Sequence, residues 1–454
     1  MLPRKFSHQE IAKIYKLNEQ KKIMNMKSKI SVNPKSINVV FAIIAFGDNI
    51  GDTSMMQVAI QRVRNRLPDA NIFIFTPTPE KIIKYFPDVI PISSSVRTKW
   101  MKKRFLPISM RFIPKAWRKN IRNIEMSLLL INPLLAHNLM KILYFLIPQS
   151  IDRSDDFYAL IKDTNLVITS GGGNITDISY QNATETLCTI RLAQQLRKKT
   201  AMFGEGLGPL SDPKIIRLTK KVFPKLLALG VREGLTSPNL ARKSGIRNER
   251  LFITGDDAIE FALNEDSIST RECIGVNIRQ ALYAGNIFDK VYEIPRVVTK
   301  ITKAHGIPIV PIPITKEKPI SDLESIDKLF ELDEVEYQLA QEIDSVYDLL
   351  RQIKRCRLVI TGSYHAGVFA LACGVPVVCL SGTRYYDLKF EGLSGQFGVG
   401  CHIVDYRSET FPDELYLAIQ KLLNFHEDES AYLIKKANEQ RDCSIAAWDF
   451  FLRQ

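Results

Sequence analysis

Short runs of consecutive apolar residues recur along this chain, and each leads into a stretch with helical spacing. In the first half the runs cover residues 37–46, 72–75, 166–169, 201–203 and 227–231; in the second, 274–279, 306–313 and 358–361. They are apolar throughout rather than alternating, as strands covered on both faces are. Helical spacing follows at 55–66, 291–304, 335–354 and 366–373. Strand and helix in alternation predict an α/β fold built on parallel sheets. At 454 residues the chain is too long for one ordinary core. The expected layout is two Rossmann-like domains facing a cleft, at residues 37–268 and 269–425. Residues 1–36 read as a polar helical lead-in and 426–454 as a helical tail.

Candidate chemistry gathers where strands end. The first strand empties into Gly47-Asp48-Asn49-Ile50-Gly51-Asp52-Thr53-Ser54, where Gly47 and Gly51 allow close approach to a ligand. Asp52 or Thr53 is expected to cap the next helix. The spacing matches neither G-x-G-x-x-G nor the P-loop, so a hydroxyl-rich ligand suits the loop better than a nucleotide phosphate. Ser170-Gly171-Gly172-Gly173-Asn174-Ile175-Thr176-Asp177 and Gly204-Glu205-Gly206-Leu207-Gly208-Pro209 read as two further glycine loops. Arg232 ends the strand at 227–231. Asn49, Asp52, Asn174, Asp177 and Glu205 could read sugar hydroxyls, although capping is the plainer role for Asp52 and Asp177. In the second half Gly362-Ser363-Tyr364-His365 puts a histidine on the first turn of a helix, at the carboxyl edge of a strand. Ser363 can cap that helix, and Gly374 fits a left-handed stop. Ligands of open α/β sheets bind along this edge, and a helix N-terminus favours an anion. The plain alternative is a core histidine bonded to backbone.

Charge changes the picture at one place. The net charge is +13, but ten cations fall between Arg97 and Arg122 with no acid among them. Trp100, Phe105, Phe112 and Trp117 are interleaved with them, and apolar stretches follow at 126–135 and 142–147. Asn132, Pro133, His137, Asn138 and Lys141 interrupt those stretches, which argues against a spanning helix. The insertion at about 97–150 thus has the make-up of an element lying on an anionic membrane surface, or of a solvated basic insertion packed on its own domain. Nucleic acid is not an expected partner, since no nucleic-acid module is recognisable. Seven scattered cysteines without a C-x-x-C pair suit reduced core positions, and no secretory leader is visible. A cytoplasmic protein is expected, held at the inner face of the plasma membrane if the insertion binds there.

In order, Gly47-x-Asn49-x-Gly51-Asp52, Gly171-Gly172-Gly173, Gly204-x-Gly206-x-Gly208-Pro209, Val231-Arg232-Glu233-x-x-x-Ser237, Thr254-Gly255-Asp256 and His365-Ala366-x-x-Phe369-Ala370-x-x-x-Gly374-Val375-Pro376-Val377 resemble the polysaccharide pyruvyl transferase family. The resemblance spans roughly residues 38–405. It implies a GT-B-like fold and transfer of the pyruvyl group of phosphoenolpyruvate onto two hydroxyls of a saccharide, forming a cyclic ketal in exopolysaccharide or cell-surface glycan synthesis. No metal and no cofactor beyond the co-substrate phosphoenolpyruvate are implied. The partners implied are that donor and a saccharide acceptor, lipid-linked if the basic segment meets a membrane. His365 is then the candidate acid–base residue and Arg232 an anion clamp. Lys389, Arg279, Ser363 and Tyr364 form the donor side. Gly47, Asn49, Gly51, Asp52, Gly172, Gly173, Asn174, Asp177, Glu205 and Gly206 form the acceptor side. Many family members carry an arginine two residues before the histidine, where this chain has Ser363. Its phosphate contact is then expected from Lys389 or Arg279. Two other readings stay open on the same architecture: a glycosyltransferase using a nucleotide-sugar, and a non-catalytic glycan-pathway binding protein.

Overall fold

The computed structural model describes residues 36–44, 47–102, 114–146, 155–264, 270–279, 290–316, 321–331 and 343–454. The expected lead-in up to residue 35, Lys103, Arg104, Phe105, Phe112 and the expected helical residues 335–342 lie outside them. The first lobe runs β1 (Asn38–Ile44), α1 (Ile50–Arg66), β2 (Asn71–Thr76), α2 (Pro79–Tyr85), β3 (Ile90–Ser93) and α3 (Ser94–Lys102). A helical hairpin follows, α4 (Lys115–Ile131) and α5 (Pro133–Leu146), then α6 (Asp156–Asp163) and β4 (Leu166–Ile175). Next come α7 (Tyr180–Gln195), β5 (Lys199–Leu207), α8 (Pro213–Val222), β6 (Ala228–Val231), α9 (Ser237–Lys243), β7 (Leu251–Ile253) and α10 (Ile259–Leu263). The second lobe comprises β8 (Cys273–Asn277), α11 (Glu293–His305), β9 (Ile309–Pro311), α12 (Asp322–Glu331), α13 (Val346–Lys354), β10 (Cys356–Thr361) and α14 (Tyr364–Ala372). It continues with β11 (Val377–Ser381), α15 (Arg384–Phe397), β12 (Cys401–Asp405) and α16 (Phe411–Leu423), and α17 (Glu427–Leu452) ends the chain.

Both sheets are parallel throughout, and both reverse their strand order once. The first is ordered β3-β2-β1-β4-β5-β6-β7 and reverses between β1 and β4. The second is ordered β12-β11-β10-β8-β9 and reverses between β8 and β10. At such a reversal the connections leave on opposite faces and open a crevice beyond the carboxyl ends of the strands. Val39–Ile43 and Leu358–Thr361 are buried, as their unbroken apolarity requires.

The glycine runs depart from expectation. They are strand rather than loop: β4 carries on through Gly171-Gly172-Gly173 and β5 through Gly204-Glu205-Gly206, with Gly172 paired to Glu205 and Ile175 to Leu207. Gly171 and Gly172 have φ of +67° and +118°. Only glycine enters that region at little cost, so the strands kink there without losing their partner.

Away from the site described below, two features join the lobes among the described residues. The turn after β1 meets the turn after β9, with Ile50 N–H donating to Ile314 O (2.9 Å) and Lys316 N–H to Asp48 O (2.8 Å). The expected C-terminal tail, α17, crosses from the second sheet back to the first. Leu433 and Ala437 lie in the core around α14, while Trp448 stacks on Phe203 of β5 with ring centroids 4.0 Å apart.

The basic insertion is split between inside and outside. Arg97 is fully buried, donating to Ala42 O at 2.6 Å and paired with Glu185. Trp100, three residues on and so on the same helix face, is buried against Phe157. These two are therefore core residues and cannot meet a membrane. No described helix is long and apolar enough to cross one.

Candidate active site

The two strand reversals face each other, and a cleft of about 290 Å³ lies between them. From the first lobe come Gly47, Asn49, Asp52, Gly172, Gly173, Asn174 and Arg232; from the second, Arg279, Ser363, Tyr364, His365, Tyr385 and Lys389. Two helices present their N-termini here. Asn49 caps α1 by accepting from the N–H groups of Gly51 and Asp52 (2.9 and 3.2 Å), which corrects the expected cap at Asp52 or Thr53. Asp52 lies one turn inside, its carboxylate exposed to the cleft. At α14 Ser363 is the cap residue by backbone only. Its side chain makes no cap bond, and its N–H donates instead to the Thr361 hydroxyl at 2.8 Å.

His365 sits against the opposite lobe. A side chain at Gly51 would collide with the imidazole ring, so glycine there lets the lobes close to contact. Nε2 of His365 lies 3.7 Å from Oδ2 of Asp256 and 4.0 Å from Oδ1 of Asp52. Nε2 and Asp256 Oδ2 are both buried without a hydrogen-bond partner. Burial first, then Arg232, Lys389 and Arg279, hold the imidazole well below its ordinary value, so it is neutral at pH 7. Burial also pushes the Asp256 carboxyl up, against the pull of Arg232 and the Ala258 N–H.

Arg232 is locked in place. Its Nε donates to Gly204 O at 2.6 Å and lies 3.3 Å from Asp256 Oδ2, and its guanidinium covers the Tyr364 ring at 5.1 Å. Burial alone would lower its pKa, but Asp256, Tyr364, Asp52 and Glu205 together raise it. The anion shared by His365 and Arg232 is thus the protein's own Asp256. Lys389 rests on three tyrosines, with Nζ 4.2, 5.6 and 5.9 Å from the rings of Tyr385, Tyr364 and Tyr386. Gly173 is what admits it, because a Cβ there would lie 2.9 Å from Nζ.

Four expected acceptor residues do not line the cleft. Asp177 clasps the turn before α8, accepting from Ser211 and Asp212 N–H groups at 2.6 and 3.0 Å, so its oxygens are spent away from the cleft. Glu205 is buried within β5. Oε1 accepts from the Thr169 hydroxyl at 2.6 Å, and burial pushes its carboxyl up to about 7. Gly206 lies behind Gly173 and lines nothing, and Gly51 serves the His365 contact rather than the cleft wall. Sequence reasoning missed Asp256 and Tyr385. Asp256 had a signal, as it follows β7 in Thr254-Gly255-Asp256 at the same sheet edge as Arg232. Among the described residues no group of His, Cys, Asp and Glu could hold a metal ion.

The Neisseria meningitidis UDP-GlcNAc 2-epimerase bound to UDP-GlcNAc superposes with a TM-score of 0.55 at 11% identity, covering 92% of this chain and 100% of that one. S. aureus MnaA, from a UDP co-structure, gives 0.51 at 12%, covering 90% and 94%. The calicheamicin glycosyltransferase CalG4 gives 0.47 at 11%, covering 91% and 97%. At these identities the likeness is one of fold, a GT-B-like pair of parallel-sheet lobes. No curated protein matches. The family model described as polysaccharide pyruvyl transferase matches residues 49–384, from the cap of α1 to the first residue of α15, and this chain belongs to that family.

Proposed function

We propose that the protein transfers the pyruvyl group of phosphoenolpyruvate onto two hydroxyls of a saccharide. One observation carries the reading: a neutral imidazole whose Nε2 faces Oδ2 of the Asp256 carboxylate with no hydrogen bond made by either atom, in a cleft that also holds Lys389, Arg279 and two helix N-termini. Phosphoenolpyruvate is a small dianion-bearing acid, and cations with helix N-termini are what gather its phosphate and carboxylate. The first sugar oxygen attacks C2 while C3 gains a proton and becomes a methyl group. The C2–O bond to phosphate then breaks, and the second hydroxyl adds to C2. Of the two hydroxyl protons, one balances the methyl group and the other leaves with phosphate. His365 is the group suited to move them, and Asp256 to hold its ring and steady the imidazolium. Lys389 is the proposed substitute, as a point charge on phosphate, for the family arginine replaced by Ser363. Asn49, Asp52 and Asn174 form the proposed acceptor side.

The test incubates the purified protein with phosphoenolpyruvate and a panel of glycans, reading phosphate release together with a glycan mass gain of one pyruvyl ketal. Phosphate release without that gain sinks the reading. Stabilisation against heat by a nucleotide-sugar but not by phosphoenolpyruvate would favour glycosyl transfer instead.

A further inference from the structure

Between Asp88 and Asp152 the chain has a single acid, Glu125, and the fold buries it. The α4–α5 hairpin is fastened to the body along one side. Leu129, Leu130, Ala136 and Met140 enter the first lobe's core, and the turn is pinned to α7 by Gln195, whose Nε2 donates to Asn132 Oδ1 at 2.6 Å. The other side is apolar and open. Trp117 and Ile124 on α4 are 64% and 67% exposed, and Leu135, Leu139 and Ile142 on α5 are 44%, 37% and 58% exposed. Both sets follow the i, i+4, i+7 rule of a single helix face. Lys119, Arg122 and Lys141 are exposed on other sides of the same two helices, with no exposed acid among them.

We propose that this hairpin docks on an anionic bilayer surface, with the apolar side chains of its outer face entering the headgroup boundary and its exposed cations adding attraction to the lipid phosphates. Charge decides the occupant. A second copy of the hairpin would bring cations near cations with no exposed acid to pair them. A nucleic acid would satisfy the cations but has no apolar phase for Ile124, Leu139 and Ile142. A bilayer supplies both. The far side of the anchor also fits, because α7 holds the hairpin and carries Asn182 and Thr186 into the cleft wall. The hairpin would therefore hold the cleft near the membrane. Resting on the proposed function for this point alone, the acceptor is a saccharide carried on a lipid anchor.

The full chain is sedimented with phosphatidylcholine vesicles with and without phosphatidylglycerol. Binding is expected only with the anionic lipid, and weakened by salt. Lys119→Gln, Arg122→Gln and Lys141→Gln together should lower it roughly 10²-fold. A second variant, Trp117→Ser with Ile124→Ser, should lower it at unchanged charge. The charge variant alters only exposed side chains, so it keeps the test open if the second folds poorly. No binding to anionic vesicles, wild-type binding by both variants, a dimer dispersed by the serine variant, or preferential binding to an oligonucleotide would each overturn the proposal. Phosphate release with a soluble glycan is measured separately. It reads the proposed chemistry without reading the surface, so each can fail alone.

Discussion

His365 and Asp256 come from different lobes, yet they share one dry corner without a hydrogen bond to either facing atom. A neutral imidazole held down by burial and three cations will rise toward its ordinary value when a substrate anion offsets those charges. Phosphoenolpyruvate binding should therefore take up a proton, more at about pH 6 than at about pH 8. Calorimetry in buffers of different ionisation enthalpy reads this, and buffer-independent heats would refute it. His365→Ala should slow ketal formation by roughly 10²-fold or more with the fold intact. Glu205 gives a stability test. Its folded value of about 7 lies above the usual 4.5, so ionising it costs folding energy that grows as pH rises through that window and is then constant. Glu205→Gln should stabilise the protein by roughly 3 kcal/mol above pH 7 and less and less toward pH 4.5. Denaturant titrations at several pH values check the sign. His365 and Arg232 were readable because each sits at the end of an apolar run. Asp256 is read only within the Thr254-Gly255-Asp256 motif and given no role. What joins it to His365 is a contact between residues over a hundred positions apart, which no local pattern encodes.

At the scale of elements, periodicity found most strands but not β3, β7 or β12, and it misread two kinds of segment. Glycine runs carry no side-chain pattern, so β4 and β5 looked shorter than they are; pairing of Gly172 with Glu205 extends them. In α3 a cationic composition hid an inward face, and Glu185 on a distant helix together with the Ala42 carbonyl explains why Arg97 is buried. The α17 helix was placed by its helical spacing, but not its destination. Trp448 fills a slot beside Phe203, so Trp448→Ala should cost roughly 3–5 kcal/mol, measured by chemical denaturation. A loss under about 1 kcal/mol would mean that the helix end is dispensable.

In the molecule as a whole, the cleft is set by how the lobes are held, and one buried carboxylate does much of that. Oδ2 of Asp322 accepts from Asn277 Nδ2 (2.8 Å) and from the N–H groups of Ile314 and Thr315 (2.9 and 3.1 Å). The same turn pairs with Asp48–Ile50 across the cleft floor. Asp322→Ala leaves those donors unpaired and should cost about 1–3 kcal/mol. Because Asp322 does not line the cleft, any accompanying fall in turnover would report lobe placement rather than lost chemistry; wild-type stability would contradict the role assigned to it.

The aromatic slot on the first sheet has a bearing on how the protein is made. While a ribosome is still producing the second lobe, Phe203 has no Trp448 to cover it, so the earlier lobe waits with a greasy seam showing. That lobe is begun first and finished last. Halting synthesis after residue 426 should leave a nascent chain that chaperones hold, whereas one carrying the closing helix is released.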